Sequence, residues 1–319
     1  MTASDETRAI VVDSKAPSRL AIRTTPLALP GPGEVTVRVK AISLNRGEVR
    51  RAITMAPDGW RPGWDFAGIV EEASPQSEGP KLGARVVGIL PEGAWAERVC
   101  VPAQSLAVLP DVVSDTEAAT LPVAGLTALH ALRQGGLLLG KPVLIDGASG
   151  GVGHLAVQLA KKAGAVVYGH IRREELRPTV ADSCTGGVIV GPTIEAARPS
   201  GPYHLILDSV GGATLGAALT MLRAGGTCVT FGVSEGPTST FESGNFFRQG
   251  GARLYGLFLF DELRRGEPAS DGLALLSQLV AQAALKPLVE VEAPWTEIGS
   301  MAQKLMERKF SGKAVLHVA

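Results

Sequence analysis

Valine recurs at every second position from Val35 to Val39, with polar residues between. That period of two puts Val35, Val37 and Val39 on one face of a half-buried strand. Short apolar runs of similar length follow at "FAGIVEEA", "ARVVGIL" and "AERVCVPA", separated by Gly and Pro turns. Residues 1 to about 118 therefore read as mostly β. At "SDTEAATLPVAGLTALHALRQ" the period changes. Ser114 and Glu117 fit a capping box, Pro122 interrupts, and Leu126, Leu129 and Leu132 recur at helical spacing. From there to about residue 256, apolar runs alternate with helical patterns: "VLIDG", "AVVYGHI", "GVIVG", "HLILDSV", "TCVTFGV" and "RLYGLFLF". That order predicts a doubly wound parallel sheet. The tail predicts a helix over 273–284, a β-like "KPLVEVEAPW", a helix over 297–307 and a final strand "GKAVLHVA". The expected organisation is 1–118, then 119–256 as the α/β domain, then a return to the first domain over 257–319.

The sharpest local signal is "GASGGVGHLAVQLAKKAG", from Gly147 to Gly164. Glycine is costly to order, so its density before a helix needs a reason. Val143, Leu144 and Ile145 precede it as a buried strand. Leu155, Leu159 and Lys162 follow at helical spacing, and a second apolar strand begins after Gly164. Strand, glycine turn, helix and strand make the setting of a dinucleotide-binding turn. Ala148 replaces the first glycine of the G-x-G-x-x-G pattern. Gly150 lets the backbone approach a pyrophosphate, Gly153 lets the helix pack on the strand, and the backbone of Ser149, Gly150, Gly151, Val152 and Gly153 faces the phosphates. The carboxyl ends of two later strands, Ser209 with Val210 and Phe231 with Gly232 and Val233, fall where ligands bind in open α/β sheets. NAD-specific folds carry an acid about 20 residues beyond the turn. Here that place holds Arg172 and Arg173, which suits a 2′-phosphate, with a solvated basic loop as the alternative. His170 is expected to add a contact when protonated. Glu174 and Glu175 are expected to open the next helix. The cofactor expected is NADPH.

Composition narrows the rest. The 31 basic and 31 acidic residues cancel, and no basic stripe is visible, which disfavours nucleic acid. Cys100, Cys184 and Cys228 form no C-x-x-C pair and read as reduced thiols, Cys100 and Cys228 buried in strands. The start "MTASDETRAIVV" lacks the basic and apolar regions of a secretory signal. No apolar run approaches about 20 residues, so no membrane span is expected and the protein is placed in the cytoplasm.

The order of parts resembles the medium-chain dehydrogenase/reductase superfamily, specifically its zinc-independent quinone oxidoreductase and enoyl reductase branch. The resemblance rests on "PGPGEVTVRVKAISLN", "RPGWDFAGIVEEA", "GAWAERVCVPA", "LPVAGLTALHAL", the glycine turn, "LILDSVGGATL", "LRAGGTCVTFG" and "GKAVLHV". It implies a Rossmann domain joined to a GroES-like β-rich domain. Zinc-bearing members place a Cys near Ser43 to Arg46 and a His-Glu pair where Trp64 and Asp65 stand, so no metal is expected. The resemblance puts Asn45 against the nicotinamide, where a turn asparagine is the alternative. Glu48 takes a position where relatives carry Asp, and is either a site residue or a solvated helix residue. Trp64 is a substrate wall or core, and Asp65 a supporting acceptor. Thr127 is implied on the nicotinamide side, with a helix threonine bonding back as its rival. Leu257 and Phe258 are implied to cover the nicotinamide, or to belong to a dimer strand. Lys313 resembles a site-facing position but reads as exposed. His130 is expected to be structural. The implied activity is hydride transfer from NADPH to a quinone or conjugated enone. Reduction of acyl or polyketide-type enoyl thioesters and non-catalytic NADPH binding remain as alternatives. A homodimer through the edge strand Arg253–Phe260 is expected.

Overall fold

The alternating valines of 35–39 lie in the strand around which the first sheet is built. The computed structural model describes residues 6–73 and 79–318. The first five residues, which open the stretch read above for a leader signal, lie outside that description, as does Ala319. In chain order the N-terminal elements are β1 (Glu6–Val12), β2 (Leu20–Pro26), β3 (Glu34–Ser43), α1 (Arg46–Thr54), β4 (Asp65–Ala73), β5 (Arg85–Ile89), β6 (Arg98–Pro102), β7 (Leu106–Val108) and α2 (Asp115–Ala119). Then come α3 (Pro122–Arg133), β8 (Pro142–Asp146), α4 (Gly151–Lys162), β9 (Val166–Ile171), β10 (Gly187–Val190), β11 (Tyr203–Asp208), α5 (Gly212–Leu219), β12 (Leu222–Thr230), α6 (Ser243–Arg248), β13 (Arg253–Gly256) and α7 (Leu259–Arg265). The chain closes with α8 (Ala269–Ala281), β14 (Val289–Pro294), α9 (Ile298–Met306) and β15 (Lys313–His317). Two compact units result: residues 1–126 with 263–319, and residues 127–262.

In the first unit, β3 pairs β4, β6 and β15, all antiparallel, within the sheet ordered β14-β15-β3-β4-β5-β7. Val35, Val37 and Val39 are buried beside Phe66, Trp95 and Trp295 in one apolar core. The C-terminal strand therefore lies against the strand that ends at Ser43, with Val315 opposite Ser43. Ser114 and Glu117 form the expected capping box on α2: the Glu117 amide donates to Ser114 Oγ at 3.1 Å, and the Ser114 amide donates to Glu117 Oε2 at 3.1 Å.

The second unit holds the parallel sheet, ordered β10-β9-β8-β11-β12-β13. The order reverses beside β8, so the carboxyl ends of β8 and β11 flank the topological switch point. One expectation is corrected. "RLYGLFLF" is not one long strand: β13 stops at Gly256, and Leu259 and Phe260 begin α7. The ladder runs out first, because β12 ends at Thr230 and the Leu257 amide donates to its carbonyl at 2.9 Å. Past that point the backbone finds partners by turning into a helix, where the Phe258 carbonyl accepts from the Asp261 and Glu262 amides. Asp261 and Glu262 in the first turn, with Arg264 and Arg265 in the last, suit the helix dipole. Among the described residues no helix is long and apolar enough to cross a membrane.

Candidate active site

The glycine turn of the second unit is built so that side chains cannot enter it. Gly147 has φ +68°, a conformation L side chains rarely adopt. A Cβ on Gly153 would lie 2.2 Å from the Gly147 carbonyl oxygen and 2.8 Å from the Ala148 Cα. Only glycine lets α4 seat so closely on the turn. Gly150 is the N-cap, offers no side chain to the first helical amides, and is followed by no acid in the first turn. Those amides and the positive end of the helix dipole suit a phosphate. Ser149 is buried, and Gly151 and Val152 are half-buried.

Of the strand ends expected beside this turn, Ser209 lies against it, and Gly232 packs on Ser209. Ser209 Oγ lies 3.2 Å from where a Gly147 Cβ would stand, and a Cβ on Gly232 would sit 2.4 Å from the Ser209 carbonyl oxygen. Asp208, fully buried, organises this edge. Its carboxylate accepts from the Val210 and Gly211 amides at 3.0 and 3.1 Å and from Thr230 Oγ1 at 2.9 Å. Burial pushes the Asp208 carboxyl up, and Asp146 adds to that, while the hydrogen bonds oppose it. The Phe231 amide donates to the Asp208 carbonyl at 3.0 Å, and the Glu235 amide to that of Val210 at 2.9 Å. Val233 is 37% exposed, Leu257 is buried, Phe258 is exposed, and Thr127 is buried on α3.

His170 departs from expectation. It does not face solvent beside a phosphate site. It is buried, with Nδ1 2.6 Å from Asp146 Oδ1 and Nε2 3.1 Å from the Gly191 carbonyl oxygen. Both ring nitrogens are committed, so neither is available to a ligand. Arg172 and Arg173 do project from the end of β9 and are exposed, Arg173 lying 3.5 Å from Glu175 in a solvated ion pair. Glu174 and Glu175 open a short 3-10 turn, Glu174–Thr179, that contains Pro178.

The first unit holds a second polar centre, and its hub was misread from sequence. Lys313 is not exposed. It is buried at the start of β15, and its Nζ donates to Asn45 Oδ1 at 2.6 Å, to the Leu44 carbonyl at 3.1 Å and to Asp65 Oδ2 at 3.2 Å. Asp65, also buried, further accepts from Ser43 Oγ at 2.7 Å, Asn45 Nδ2 at 2.8 Å and the Val123 amide at 2.9 Å. Asn45 is the N-cap of α1. Its amide and its Nδ2 both donate to Glu48 Oε1 at 2.8 Å. The orientation of the Asn45 side chain is fixed by chemistry: an ammonium only donates and a carboxylate only accepts. Both Nδ2 hydrogens are thereby committed, one to Glu48 and one to Asp65, while Oδ1 accepts from Lys313.

Glu48 is not a solvated helix residue. It is fully buried, and its Oε2 has no hydrogen-bond partner. Burial first, and then the neighbouring Asp65 charge, push its carboxyl well above the usual carboxylate range. The two donors on Oε1 and none on Oε2 match a carboxylic acid with its carbonyl oxygen at Oε1. Trp64 is half-buried, its ring lying over Gly47 in the first turn of α1: a Gly47 Cβ would meet the ring at 3.0 Å. Arg46 donates to the Leu305 and Met306 carbonyls, placing its charge at the negative end of α9. Of the cysteines read as buried strand thiols, Cys228 is buried but Cys100 only half-buried.

Two family models match this architecture: the alcohol dehydrogenase GroES-like domain over residues 31–111, and the zinc-binding dehydrogenase over 151–271. The chain belongs to the medium-chain dehydrogenase/reductase superfamily. Members of that superfamily are oxidoreductases that use a nicotinamide cofactor. It is 27% identical to a mycobacterial quinone oxidoreductase, with TM-score 0.85 and coverage of 98% of this chain and 99% of the other. It is 26% identical to the quinone oxidoreductase from Coxiella burnetii, with TM-score 0.82 and coverage of 98% and 100%. It is also 32% identical to a mycocerosic acid synthase-like polyketide synthase of Mycobacterium tuberculosis, over 91% of this chain and 14% of the synthase. The chain thus spans about one-seventh of that curated relative.

The cradle at Gly147–Gly153 fits the phosphates of a dinucleotide. A catalytic zinc does not fit the first unit. Among the described residues no three His, Cys, Asp or Glu side chains are grouped to hold a metal ion. The carboxylate at the former ligand position, Asp65, is already paired with the Lys313 ammonium. Sequence reasoning missed Lys313 and Asp208 as organisers. An Asp at the end of a buried strand and a Lys beginning one were the only local signals.

Replacing Glu48 with Gln tests its charge state. An acid whose folded pKa is raised loses native stability as pH climbs from its unfolded value, near 4.3, toward the folded one. Glu48→Gln removes that loss. The stability gap in favour of the variant is expected to widen by up to about 1.4 kcal/mol per pH unit across that window. Denaturant titrations from pH 4.5 to 7.5 read it, and a gap independent of pH contradicts it.

Proposed function

We propose that the protein is an NADPH-dependent reductase that delivers hydride to a conjugated enone or a quinone without a metal. The observation that carries this reading is Lys313: a fixed protein cation occupies the centre where a metal-dependent relative needs open ligands. Without a Lewis acid to activate an alcohol or simple carbonyl, the suited acceptors are those already electrophilic. A bound reduced nicotinamide supplies the hydride. The α4 amides would hold the pyrophosphate beside Ser209, and Arg172 and Arg173 would hold the 2′-phosphate. With an enone, the hydride that a bound nicotinamide would supply would go to the β-carbon, and a proton from water would complete the reduction. The identity shared with a polyketide synthase favours one second reading, an enoyl thioester as acceptor.

Spectrophotometric NADPH oxidation against a panel of quinones, enones and enoyl thioesters tests the activity. Turnover with quinones or enones is expected. Turnover confined to thioesters favours the second reading, and tight NADPH binding with no turnover on any acceptor contradicts both.

Arg172→Ala tests the cofactor. Loss of one charge-assisted contact costs about 1.5–3 kcal/mol, roughly ten- to a hundredfold in affinity. Calorimetry is expected to show that loss for NADPH and almost none for NADH. Equal losses would mean that Arg172 does not read the phosphate.

A second copy of the chain is proposed to pair along β13. That strand is the edge of the parallel sheet, and Leu254 on it, with Phe247 and Phe258 nearby in sequence, exposes apolar surface. Light scattering at micromolar concentration is expected to give a dimer mass, and a monomer contradicts the pairing.

A further inference from the structure

The Asp146–His170 pair lies where the cofactor reading needs positive potential, yet it contributes a carboxylate. Asp146 ends β8 and immediately precedes the glycine turn, and His170 stands on β9 two residues before Arg172. The two side chains are 6% and 3% exposed and meet at 2.6 Å. The second ring nitrogen meets the Gly191 carbonyl, just beyond β10. One ring therefore ties together the carboxyl ends of three neighbouring strands.

The hydrogen bonding fixes the charge of the pair. Both ring nitrogens face acceptor oxygens, on Asp146 and Gly191. Two proton arrangements satisfy both contacts. Either the ring carries both protons and Asp146 is ionised, or the ring carries one on Nε2 and Asp146 carries the other. Each arrangement leaves the pair neutral. Asp208, at the end of the adjacent strand β11, is the next carboxyl, and three donors already engage it.

We propose that His170 is a specificity-setting positioning residue, which cancels the Asp146 charge and holds the β9 and β10 ends so that Arg172 and Arg173 dominate the field a 2′-phosphate meets. Its part is indirect, because no ring nitrogen remains to touch the ligand. The inference rests on the NADPH reading and extends it to a residue that contacts no phosphate.

Removing the ring while keeping the acid leaves Asp146 uncompensated beneath the phosphate turn. An unpaired carboxylate there repels an anionic ligand, by on the order of tenfold in binding. The dianionic 2′-phosphate makes NADPH more sensitive than NADH. Dissociation constants for NADPH and NADH, measured by nucleotide fluorescence at low ionic strength, test this on wild type, His170→Asn, Asp146→Asn and the double variant. His170→Asn is expected to lower the NADPH-over-NADH preference about tenfold. The double variant is expected to recover most of it, which a merely structural loss would not allow. Asp146→Asn alone is expected to keep or raise the preference, and it carries the test if His170→Asn does not fold. An unchanged preference in folded His170→Asn, no recovery in the double variant, or a lower preference in Asp146→Asn overturns the inference. A wild type that prefers NADH removes the NADPH reading, and this inference with it.

Discussion

The first unit depends on one buried ammonium. Lys313 begins the last strand and reaches Leu44, Asn45 and Asp65, which belong to the end of β3, the cap of α1 and the start of β4. A lysine so enclosed is costly unless paired, and Asp65 pairs it. Remove either partner and the other is left as an uncompensated buried charge, at about 3–5 kcal/mol. The pair also fixes which end of the Asn45 amide is committed and leaves Glu48 as the second acid, with no cation of its own.

In the second unit geometry does what charge does in the first. Gly153 removes a side chain so that a helix can seat on a turn, and Asp208 gathers the Val210 and Gly211 amides into a fixed loop. The exposed Arg172 and Arg173 follow β9, on which buried His170 meets Asp146. Each unit has its own device: a glycine turn that admits no side chains in the second, and a buried Lys313–Asp65 pair in the first.

Much of this was legible in the chain because the signals are local. The capping box of Ser114 and Glu117, the alternating valines and the glycine turn each act within a few residues. Lys313 was not legible, because its partner Asp65 lies 248 positions away and nothing nearby marks it as inward. His170 was placed correctly at a strand end, but its direction depends on Asp146 and Gly191, on two other segments. "RLYGLFLF" misled for the opposite reason. Its apolar run outweighed the acids of Asp261 and Glu262, which announce a helix, and only the length of β12 decides where the ladder stops. Nothing beside Arg46 in the sequence marks its role, because the carbonyls it caps, at Leu305 and Met306, belong to a helix near the far end of the chain.

Under the proposed function, hydride passes from a nicotinamide to an electrophilic acceptor with no metal taking part. The most direct measurement follows the label from NADPH deuterated at the transferable C4 position, using protein stripped by prolonged chelation and shown metal-free by elemental analysis. Reduction of a conjugated enone by that protein is predicted to place one deuterium on the β-carbon for each NADPH oxidised, at the rate of the unstripped protein. Turnover that disappears on stripping and returns with zinc, or product carrying no deuterium on carbon, would contradict the account.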